Sequence, residues 1–387
     1  MPTIRTASSE TQSYLVVDVE CNTFQKGNPF SRCGKLVIIG CKSPSETYMG
    51  MDRQVIQEYI DKSDLLIGFN FKFDCHWLQN FAIDFSNKPV WDCQLAYFIL
   101  TGQSNILPSL NDLAFEYGFT RKSDVVRTEY WDKGIDTEDI PEEVLQEYLN
   151  RDLLLTEEVY LHQLKLFESE PQLYKLFKLH CLDLLVLQEM EYNGMLFDTE
   201  QAAFLAEEEE KKQEVLLKEL QAGYEDIPIN FQSRDHLSAY LYGGNIVHET
   251  RMPIGVYKTG AKTGLPRYKI VEYTYELPQL VKPLKGSELK KEGFYATDEG
   301  TLKSIRCNKQ ARKRLDLLLE RSKSSKLLGT YYKGIPEFIK EMDWPDGTIH
   351  GNFNQCIAST GRLSSSKPNL QNFAGKVDKL LRSRYVG

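Results

Sequence analysis

The chain has 387 residues, 41% of them hydrophobic and 26% charged, with a formal net charge of −8 at pH 7. This apolar content is enough for two or three domains with their own cores, and no segment has the roughly 20 consecutive apolar residues that a membrane span requires. The eight cysteines form no Cys-x-x-Cys pair, which argues against a zinc site or disulfide framework, and the absence of a signal-peptide segment predicts a cytoplasmic protein.

The first part of the chain predicts short strands followed by helices. Apolar runs indicate strands at about 14–19, 36–40, 46–50 and 65–69. Helical patterns follow at about 71–80, 93–101, 109–117 and 141–168. Such an arrangement predicts an α/β domain with a mixed sheet that ends near residue 170.

An acidic pair lies in the first predicted strand. Successive side chains of a strand alternate between its faces, so Asp18 and Glu20 point the same way while Val17 and Val19 pack on the opposite side. Solvation of a strand end is the alternative interpretation of this pair on its own.

Two further polar pairs have a four-residue spacing, Asn70 with Asp74 and Tyr148 with Asp152. On a helix this spacing places both members of a pair on one face. The alternatives are a helix start, with Asn70 as its cap and an acid in the first turn, and an ordinary amphipathic helix face at 148–152.

Taken together, these elements predict that four carboxylates and one phenol converge. Carboxylates in close proximity raise one another's pKa unless a cation compensates their charge. An all-oxygen ligand set favours Mg²⁺ or Mn²⁺, and two such ions about 3.5–4 Å apart promote in-line hydrolysis of a phosphodiester. The sequence therefore predicts a two-metal nuclease site.

The middle of the chain is predicted to be mainly helical, with one interruption. Helices are indicated at 173–192, at about 198–220 and again after Ser233, which is the expected N-cap of a short helix ending in glycine. Repeated Gly, Pro, Tyr and Lys residues with strand-like alternation predict an inserted hairpin or flap at about 245–291. We leave the role of this insertion open.

A basic stripe extends from Lys303 to Lys326, where nine Lys and Arg residues are accompanied only by Asp316 and Glu320. Charges are screened beyond roughly 8 Å at physiological salt, so a local stripe can bind phosphates within an acidic chain. A solvated helix face is an equally good interpretation.

The ordered set Asp-x-Glu, Asn-x3-Asp and Tyr-x3-Asp resembles the proofreading 3′→5′ exonuclease domain of family A DNA polymerases. Residues 91–100 and 109–114 are similar to helices between the second and third elements of that domain. The segment Thr360-Gly-Arg-Leu-Ser-Ser-Ser-Lys-Pro-Asn-Leu-Gln-Asn372 is similar to the signature that begins the family's polymerase palm. The resemblance implies a ribonuclease-H-like exonuclease domain at 1–170, a mainly helical thumb at 171–340 and an N-terminal palm segment at 341–387.

The same resemblance implies roles for individual residues. Asp18, Glu20, Asp74 and Asp152 would bind the two ions, and Tyr148 with Glu20 would orient the attacking water. Phe24 would be a wedge against the terminal bases, although a core position is an equally good interpretation. The implied DNA-binding residues also include Asn70, Arg312, Lys313, Arg314, Lys326, Arg362, Asn369 and Gln371.

The sequence lacks the later polymerase motifs that supply the palm acids and the nucleotide-binding residues. We therefore expect polymerase activity only with a second polypeptide carrying palm and fingers, as in a split phage or bacterial enzyme, or else a truncated chain. The expected partners are a single-stranded DNA 3′ end and a primer–template duplex, and no membrane. The alternatives are an RNA 3′ exonuclease of the RNase D type and a non-catalytic DNA-binding scaffold.

Overall fold

The computed structural model describes residues 13–104, 107–122, 124–260, 262–345, 347–373, 375 and 377–382, and its first part is built around a five-stranded sheet. The first elements in chain order are β1 (Tyr14–Cys21), β2 (Leu36–Lys42), β3 (Thr47–Gly50), α1 (Arg53–Lys62), β4 (Leu65–Gly68), α2 (Lys72–Asn80) and β5 (Val90–Asp92). The strand order is β3-β2-β1-β4-β5. Strands β1, β2 and β3 pair antiparallel, whereas β4 pairs parallel with both β1 and β5. The predicted mixed α/β fold is thus confirmed.

Helices cover this sheet and close its core. They are α3 (Cys93–Leu100), α4 (Leu110–Glu116), α5 (Val125–Glu129), α6 (Glu142–Glu168) and α7 (Pro171–Asn193), after which β6 (Met195–Phe197) begins a second small sheet. The core side chains come from β1, β2, β4 and the buried faces of these helices, including Phe177 and Leu184 of α7. Helix α7 therefore packs against the first domain, although the predicted domain limit at residue 170 precedes it.

A second cluster of buried side chains belongs to residues 200–334. Its elements are α8 (Thr199–Gln221), α9 (Arg234–Tyr242), β7 (Gly244–Val256), β8 (Pro266–Leu277), α10 (Glu299–Ser304) and α11 (Lys309–Lys326), which a π-helical segment at Leu327–Tyr332 prolongs. As predicted, Ser233 caps α9 by accepting a hydrogen bond from the His236 N–H, and the helix ends before Gly243. Strands β7 and β8 form a two-stranded hairpin within the segment predicted to hold an insertion.

The remaining elements return to the first compact unit. They are α12 (Gly334–Glu341), β9 (Thr348–Ile349), β10 (Asn352–Asn354), β11 (Ser364–Ser366) and β12 (Leu381–Arg382). Strands β12, β6 and β9 form a three-stranded sheet. The buried Glu191 of α7 accepts hydrogen bonds from the Phe353 N–H, at 2.6 Å, and from Lys72 of α2, which fixes this segment to α2 and α7.

The described residues form two compact units, one up to Thr199 together with the residues from Ile335 onward, and one comprising Glu200–Gly334. The predicted limits 1–170, 171–340 and 341–387 concern domains of the family type and stay a prediction; residues 1–12 and 383–387 lie outside the described residues. Among the described helices, none has the length and apolar character needed to cross a membrane.

Candidate metal centre

Three of the predicted acids come together at one end of the central sheet. Asp18 and Glu20 project from the same face of β1, two residues apart, as the strand alternation predicts. Asp152 comes from α6, which packs against β1 and β2. One oxygen atom from each of the three carboxylates lies within 4.8 Å of the other two.

A glycine allows α6 to approach the sheet closely enough for this convergence. Gly40 of β2 lies directly opposite Asp18. A Cβ atom at residue 40 would be 2.7 Å from Leu153 Cδ1 and 3.0 Å from Leu149 Cγ, both on α6. Because Leu149 and Leu153 flank Asp152 and Tyr148 along the helix, Gly40 sets the distance between the acids of β1 and those of α6.

Burial and neighbouring negative charge raise the pKa values of Asp18 and Glu20. Burial raises the pKa of Asp18 to about 7, with the charge of Asp152 adding to the increase and Lys122 opposing it. Burial, together with the charges of Asp18 and Asp152, also raises the pKa of Glu20 well above its usual range. This pattern is expected where carboxylates are held together without enough positive charge to compensate them.

The donor set suits a hard divalent cation. Asp152 Oδ1 is buried and has no hydrogen-bond partner among the described residues, and an unpaired buried carboxylate oxygen is unfavourable unless it binds a cation. All three potential ligands are carboxylates, which favours Mg²⁺ or Mn²⁺ over zinc. Asp18, Glu20 and Asp152 therefore fit such an ion.

The fourth predicted acid, Asp74, lies outside this group of three. It is buried at the start of α2, and its Oδ1 accepts a hydrogen bond of 3.1 Å from the Val19 N–H. That N–H lies beyond the last residue of β1 that pairs with β4. Burial raises the pKa of Asp74, and the negative charge of Asp18 adds to the increase. Asp74 is therefore close to Asp18 and also stabilises the end of the sheet.

Asn70 does not share a helix face with Asp74, which corrects the interpretation of this pair. Helix α2 begins only at Lys72, and Asn70 precedes it with φ of +54°, a left-handed conformation that asparagine tolerates better than most residues. The turn is held by Asp92, whose carboxylate accepts hydrogen bonds from the backbone N–H groups of Asn70, at 3.2 Å, and Phe71, at 2.9 Å. Asp92 also caps α3 through the Gln94 and Leu95 N–H groups.

Lys122 is the main site residue that the sequence analysis missed. Its Nζ donates hydrogen bonds to Asp152 Oδ2, at 2.6 Å, and to the Tyr148 hydroxyl, at 2.8 Å. Burial by itself lowers the pKa of Lys122, but the charges of Asp152 and Tyr148 outweigh this effect and raise it. The ammonium group therefore stays charged and compensates part of the acidic cluster.

The backbone of Lys122 is fixed by Asn111 of α4. Asn111 Oδ1 accepts a 2.8 Å hydrogen bond from the Lys122 N–H, and its amide also reaches the Lys122 carbonyl. Trp131 packs edge-on against the Tyr148 ring. No sequence signal linked a loop lysine to Tyr148 and Asp152, which are 26 and 30 residues further along the chain.

An open groove of about 750 Å³ runs along this site. Its lining includes the cations Arg121, Lys122 and Arg127 together with the acids Asp18, Asp112, Asp124 and Asp152. Such a combination of carboxylates and cations suits a phosphodiester, because the cations attract its phosphate while the acids hold a metal ion.

The predicted DNA-binding residues outside the groove have varied surroundings. Phe24 lies in a short 3-10 turn after β1 and is 38% exposed. Arg362 is exposed, whereas Asn369 and Gln371 close a local loop: Asn369 Oδ1 accepts from the Gln371 N–H and Gln371 Nε2 donates to the Leu363 carbonyl. Their roles toward DNA stay predictions.

Most of the arginines in the basic stripe are used inside residues 200–334. Arg314 donates to the Leu220 and Ala222 carbonyls, at 3.1 and 2.8 Å, and to the Tyr240 hydroxyl. Arg312 donates to the Ile305 carbonyl, and Lys313 forms an ion pair with Glu219. Arg312 and Arg314 are therefore engaged inside the unit, which argues against the phosphate contacts predicted for these two residues, whereas the exposed Lys313 and Lys326 stay candidates.

Comparison with known proteins identifies relatives of this chain. Residues 271–386 match the model of the family described as DNA polymerase family A. The chain is 28% identical over 314 residues to DNA polymerase I of Synechocystis sp., covering 80% of this chain and 27% of that protein. It is 26% identical over 338 residues to DNA polymerase I of Streptococcus pneumoniae, covering 86% of this chain and 32% of that protein.

The fold also has a counterpart among solved structures. The POL domain of Pol1 from M. smegmatis, in complex with DNA primer-template and dNTP, superimposes with a TM-score of 0.67 at 18% identity, over 97% of this chain and 55% of that one. This chain spans between a quarter and a third of the curated relatives above, and the family-model match begins after every acid of the metal centre. The chain is accordingly related in sequence to the family A DNA polymerases.

Proposed function

We propose that this chain is a metal-dependent 3′→5′ exonuclease acting on DNA. The observation that carries the proposal is the convergence of the Asp18, Glu20 and Asp152 carboxylates within 4.8 Å, with one Asp152 oxygen lacking a hydrogen-bond partner among the described residues. In the proposed reaction, water attacks the terminal phosphodiester and the bond from phosphorus to the 3′ oxygen breaks. The products are a 5′-mononucleotide and a new 3′-hydroxyl end.

The proposed roles follow from the position of each side chain. Asp18, Glu20 and Asp152 would hold one ion, and Asp18 with the neighbouring Asp74 would hold the second. Bound divalent ions supply Lewis-acid polarisation of the phosphate and lower the pKa of water. Glu20 accepts the proton of the attacking water or orients it, together with the Tyr148 hydroxyl.

Lys122 contributes in two ways to the proposed reaction. Its ammonium group holds the Tyr148 hydroxyl and the Asp152 carboxylate in fixed positions through two hydrogen bonds. It also lies in the groove beside the acids, where its charge stabilises the negative charge that accumulates on the phosphate during attack.

The relationship to DNA polymerases favours DNA over RNA as the substrate. An RNA 3′ exonuclease is the second candidate, because the acids and the phenol alone do not distinguish the sugars. A single-stranded DNA and an RNA of the same sequence, each with a 5′ label, therefore need to be compared in the same assay. Faster degradation of the RNA would replace the DNA proposal.

The proposal is tested with purified chain, single-stranded DNA and Mg²⁺ or Mn²⁺. We expect stepwise shortening from the 3′ end, and EDTA should stop it. Asp152→Asn should lower the rate by at least about 10³-fold, equivalent to about 4 kcal/mol, because it removes the negative charge of a ligand without changing the side-chain shape. Glu147→Gln is the matched control, an exposed carboxylate on the same helix, and should cleave normally.

Mn²⁺ binding, followed by the electron paramagnetic resonance of the free ion, provides a second measurement. Binding without cleavage would indicate that the substrate is wrong, whereas neither binding nor cleavage would favour a non-catalytic scaffold. Normal cleavage by Asp152→Asn would refute the assignment of the site.

We also propose that the segment from residue 341 onward joins a polymerase palm, provided either by further residues of a longer protein or by a second polypeptide. The match of residues 271–386 to the polymerase family and the three-stranded sheet β12-β6-β9 support this proposal. Primer extension should then require addition of the missing part. Synthesis by this chain alone, free of other polymerases, would exclude it.

A further inference from the structure

The hairpin of β7 and β8 is anchored only at its base. Its register runs from Gly244 opposite Leu277 to Val256 opposite Pro266, and strands of this length extend roughly 40 Å. Only Ile246 and Leu277 are buried among the residues of the two strands, where they join the core of residues 200–334. No third strand pairs with the hairpin in the described structure.

The distal half of the hairpin is exposed on both faces. Every described residue from 251 to 270 is exposed, including Tyr257, Tyr268 and Ile270, which are between 37% and 57% exposed. An isolated two-stranded hairpin is at best marginally stable in water, and exposed apolar groups of this density are typical of an interaction surface.

The charge of this half is opposite to that of the chain. Residues 251–270 contain no acid, although the formal net charge of the chain is −8. The cross-strand pair of Glu249 and Glu272 marks the base of the basic half. The cations of this segment are Arg251, Lys258, Lys262, Arg267 and Lys269.

The cations lie on both faces of the ribbon. Residues directly opposite each other share a face, so Arg251 lies with its partner Ile270, and Lys269 lies on the other face with its partner Met252. Arg267, two residues before Lys269 on the same strand, shares the face of Lys269. Lys258 and Lys262 add charge to the loop at the tip.

We propose that this half of the hairpin, residues 251–270, binds the phosphate backbone of double-stranded DNA. The major groove of a duplex admits a two-stranded β-ribbon and has phosphates along both of its walls, which matches a ribbon with cations on both faces. The tyrosines provide flat apolar surfaces beside the cations. A protein surface that needs only apolar contacts would not select five cations without one acid.

This inference rests on the proposed function only in its choice of DNA, since the charge pattern is compatible with any nucleic-acid duplex. Binding is therefore measured separately from cleavage, in EDTA, where no nucleotide is removed. Failure of the hairpin proposal would leave the exonuclease proposal intact, and the reverse also holds.

The test uses the full chain and a fluorescent DNA duplex, with anisotropy measured from 50 to 300 mM salt. In Arg251→Gln/Arg267→Gln/Lys269→Gln, the slope of log affinity against log salt should decrease by roughly two to three, because each lost phosphate contact removes about 0.9. The control Lys62→Gln/Lys165→Gln/Lys175→Gln changes the charge equally on exposed residues outside the hairpin. Its slope should match that of the unmodified chain.

A shortened chain provides the second variant. Thr250 pairs with Val271, so an Asn-Gly turn in place of residues 251–270 closes a short hairpin and keeps Ile246 and Leu277 in the core. It should lose at least as much duplex affinity as the triple variant while degrading single strands normally. An unchanged salt slope in both variants would overturn the proposal, including the case in which the hairpin binds a protein. An equal loss for a single strand of the same length would overturn the choice of a duplex.

Discussion

The acidic cluster of β1 and α6 and the basic helix α11 both bring like charges together, but the structure compensates these charges to different extents. In α11 the arginines donate to backbone carbonyls and a tyrosine hydroxyl of the same unit, as Arg314 does to Leu220 and Ala222. In the acidic cluster three carboxylates are held together, and Lys122 compensates only part of their charge. Charge that is already paired stabilises the fold, whereas charge held close without compensation indicates a ligand.

The same distinction applies within the basic residues. Arg314 and Arg321 are directed into their unit, and Arg321 donates a hydrogen bond of 3.0 Å to the Phe231 carbonyl. Lys326 and the cations of the distal hairpin are exposed. The number of cations in a segment is therefore a poor guide to nucleic-acid contact, and the direction of each side chain decides its role.

The largest effect on this comparison is expected from Gly40→Val, which should separate the acids of β1 from those of α6. The added side chain would overlap Leu149 and Leu153, so these side chains and the helix that carries them are expected to move outward. A displacement of about 1 Å in a catalytic site lowers rates by about 10²-fold, and we expect a similar loss of cleavage together with weaker Mn²⁺ binding.

Gly329→Ala is the matched control, because a Cβ atom at that residue meets no other atom. Circular dichroism verifies that each variant folds. If Gly40→Val does not fold, Gly40→Ala is a milder variant for the same test. Full activity in a folded Gly40→Val protein would show that the approach of α6 does not set the site.

The sequence predicted the elements of this site better than their assembly. Strand alternation placed Asp18 and Glu20 on one face, and helical spacing placed Tyr148 and Asp152 together, because both patterns depend on local geometry. Lys122 and Gly40 were missed because their importance depends on contacts with α6 that are distant in sequence. Asn70 was misplaced because α2 begins only at Lys72, after a turn in which the Asp92 carboxylate accepts a hydrogen bond from the Asn70 N–H.

The basic stripe shows a similar limit. Its charges were predicted correctly. Whether an arginine side chain reaches solvent, however, depends on whether the folded chain places free backbone carbonyl groups within its reach. Helix α8 ends at Gln221, which leaves the Leu220 and Ala222 carbonyls for Arg314. Only the packing of α8 against α11 determines this use.

Arg314→Ala should destabilise the protein, in contrast to Lys326→Ala. The first variant leaves two carbonyls and the Tyr240 hydroxyl without their charged donor, and hydrogen bonds to charged groups contribute about 1.5–3 kcal/mol, so we expect a loss of roughly 2–4 kcal/mol in the free energy of unfolding. Lys326→Ala should change it by less than about 0.5 kcal/mol. Urea unfolding measures both, and equal stability of the two variants would contradict the distinction between paired and exposed cations.

Lys122→Met should separate metal binding from catalysis. Removal of the ammonium group leaves the acids less compensated, so Mn²⁺ should bind about tenfold more tightly, equivalent to about 1.4 kcal/mol. Cleavage should nevertheless fall by roughly tenfold or more, because the Tyr148 hydroxyl loses its hydrogen bond and the phosphate loses a cation. Lys133→Met, at an exposed ion pair with Glu129, is the control. Weaker Mn²⁺ binding in Lys122→Met would contradict a compensating role.

The smallest effect concerns the pH dependence of the acidic cluster. Because the pKa of Asp18 is raised to about 7 in the folded chain, Asp18 stabilises the metal-free fold fully below the carboxyl group's ordinary pKa of about 3.8, and this contribution is lost as pH rises through 7.

Metal binding has the opposite dependence on pH, since a divalent ion competes with the proton for the carboxylates. The apparent Mn²⁺ affinity should therefore decrease as pH falls through 7, by about tenfold per pH unit for each proton that the ion displaces. Asp18→Asn should make metal-free stability less dependent on pH between about 4 and 7, and should bind Mn²⁺ weakly at every pH. Calorimetric titration at pH 6, 7 and 8 tests this, and an Mn²⁺ affinity that does not change over this range would show that no proton is displaced from the cluster.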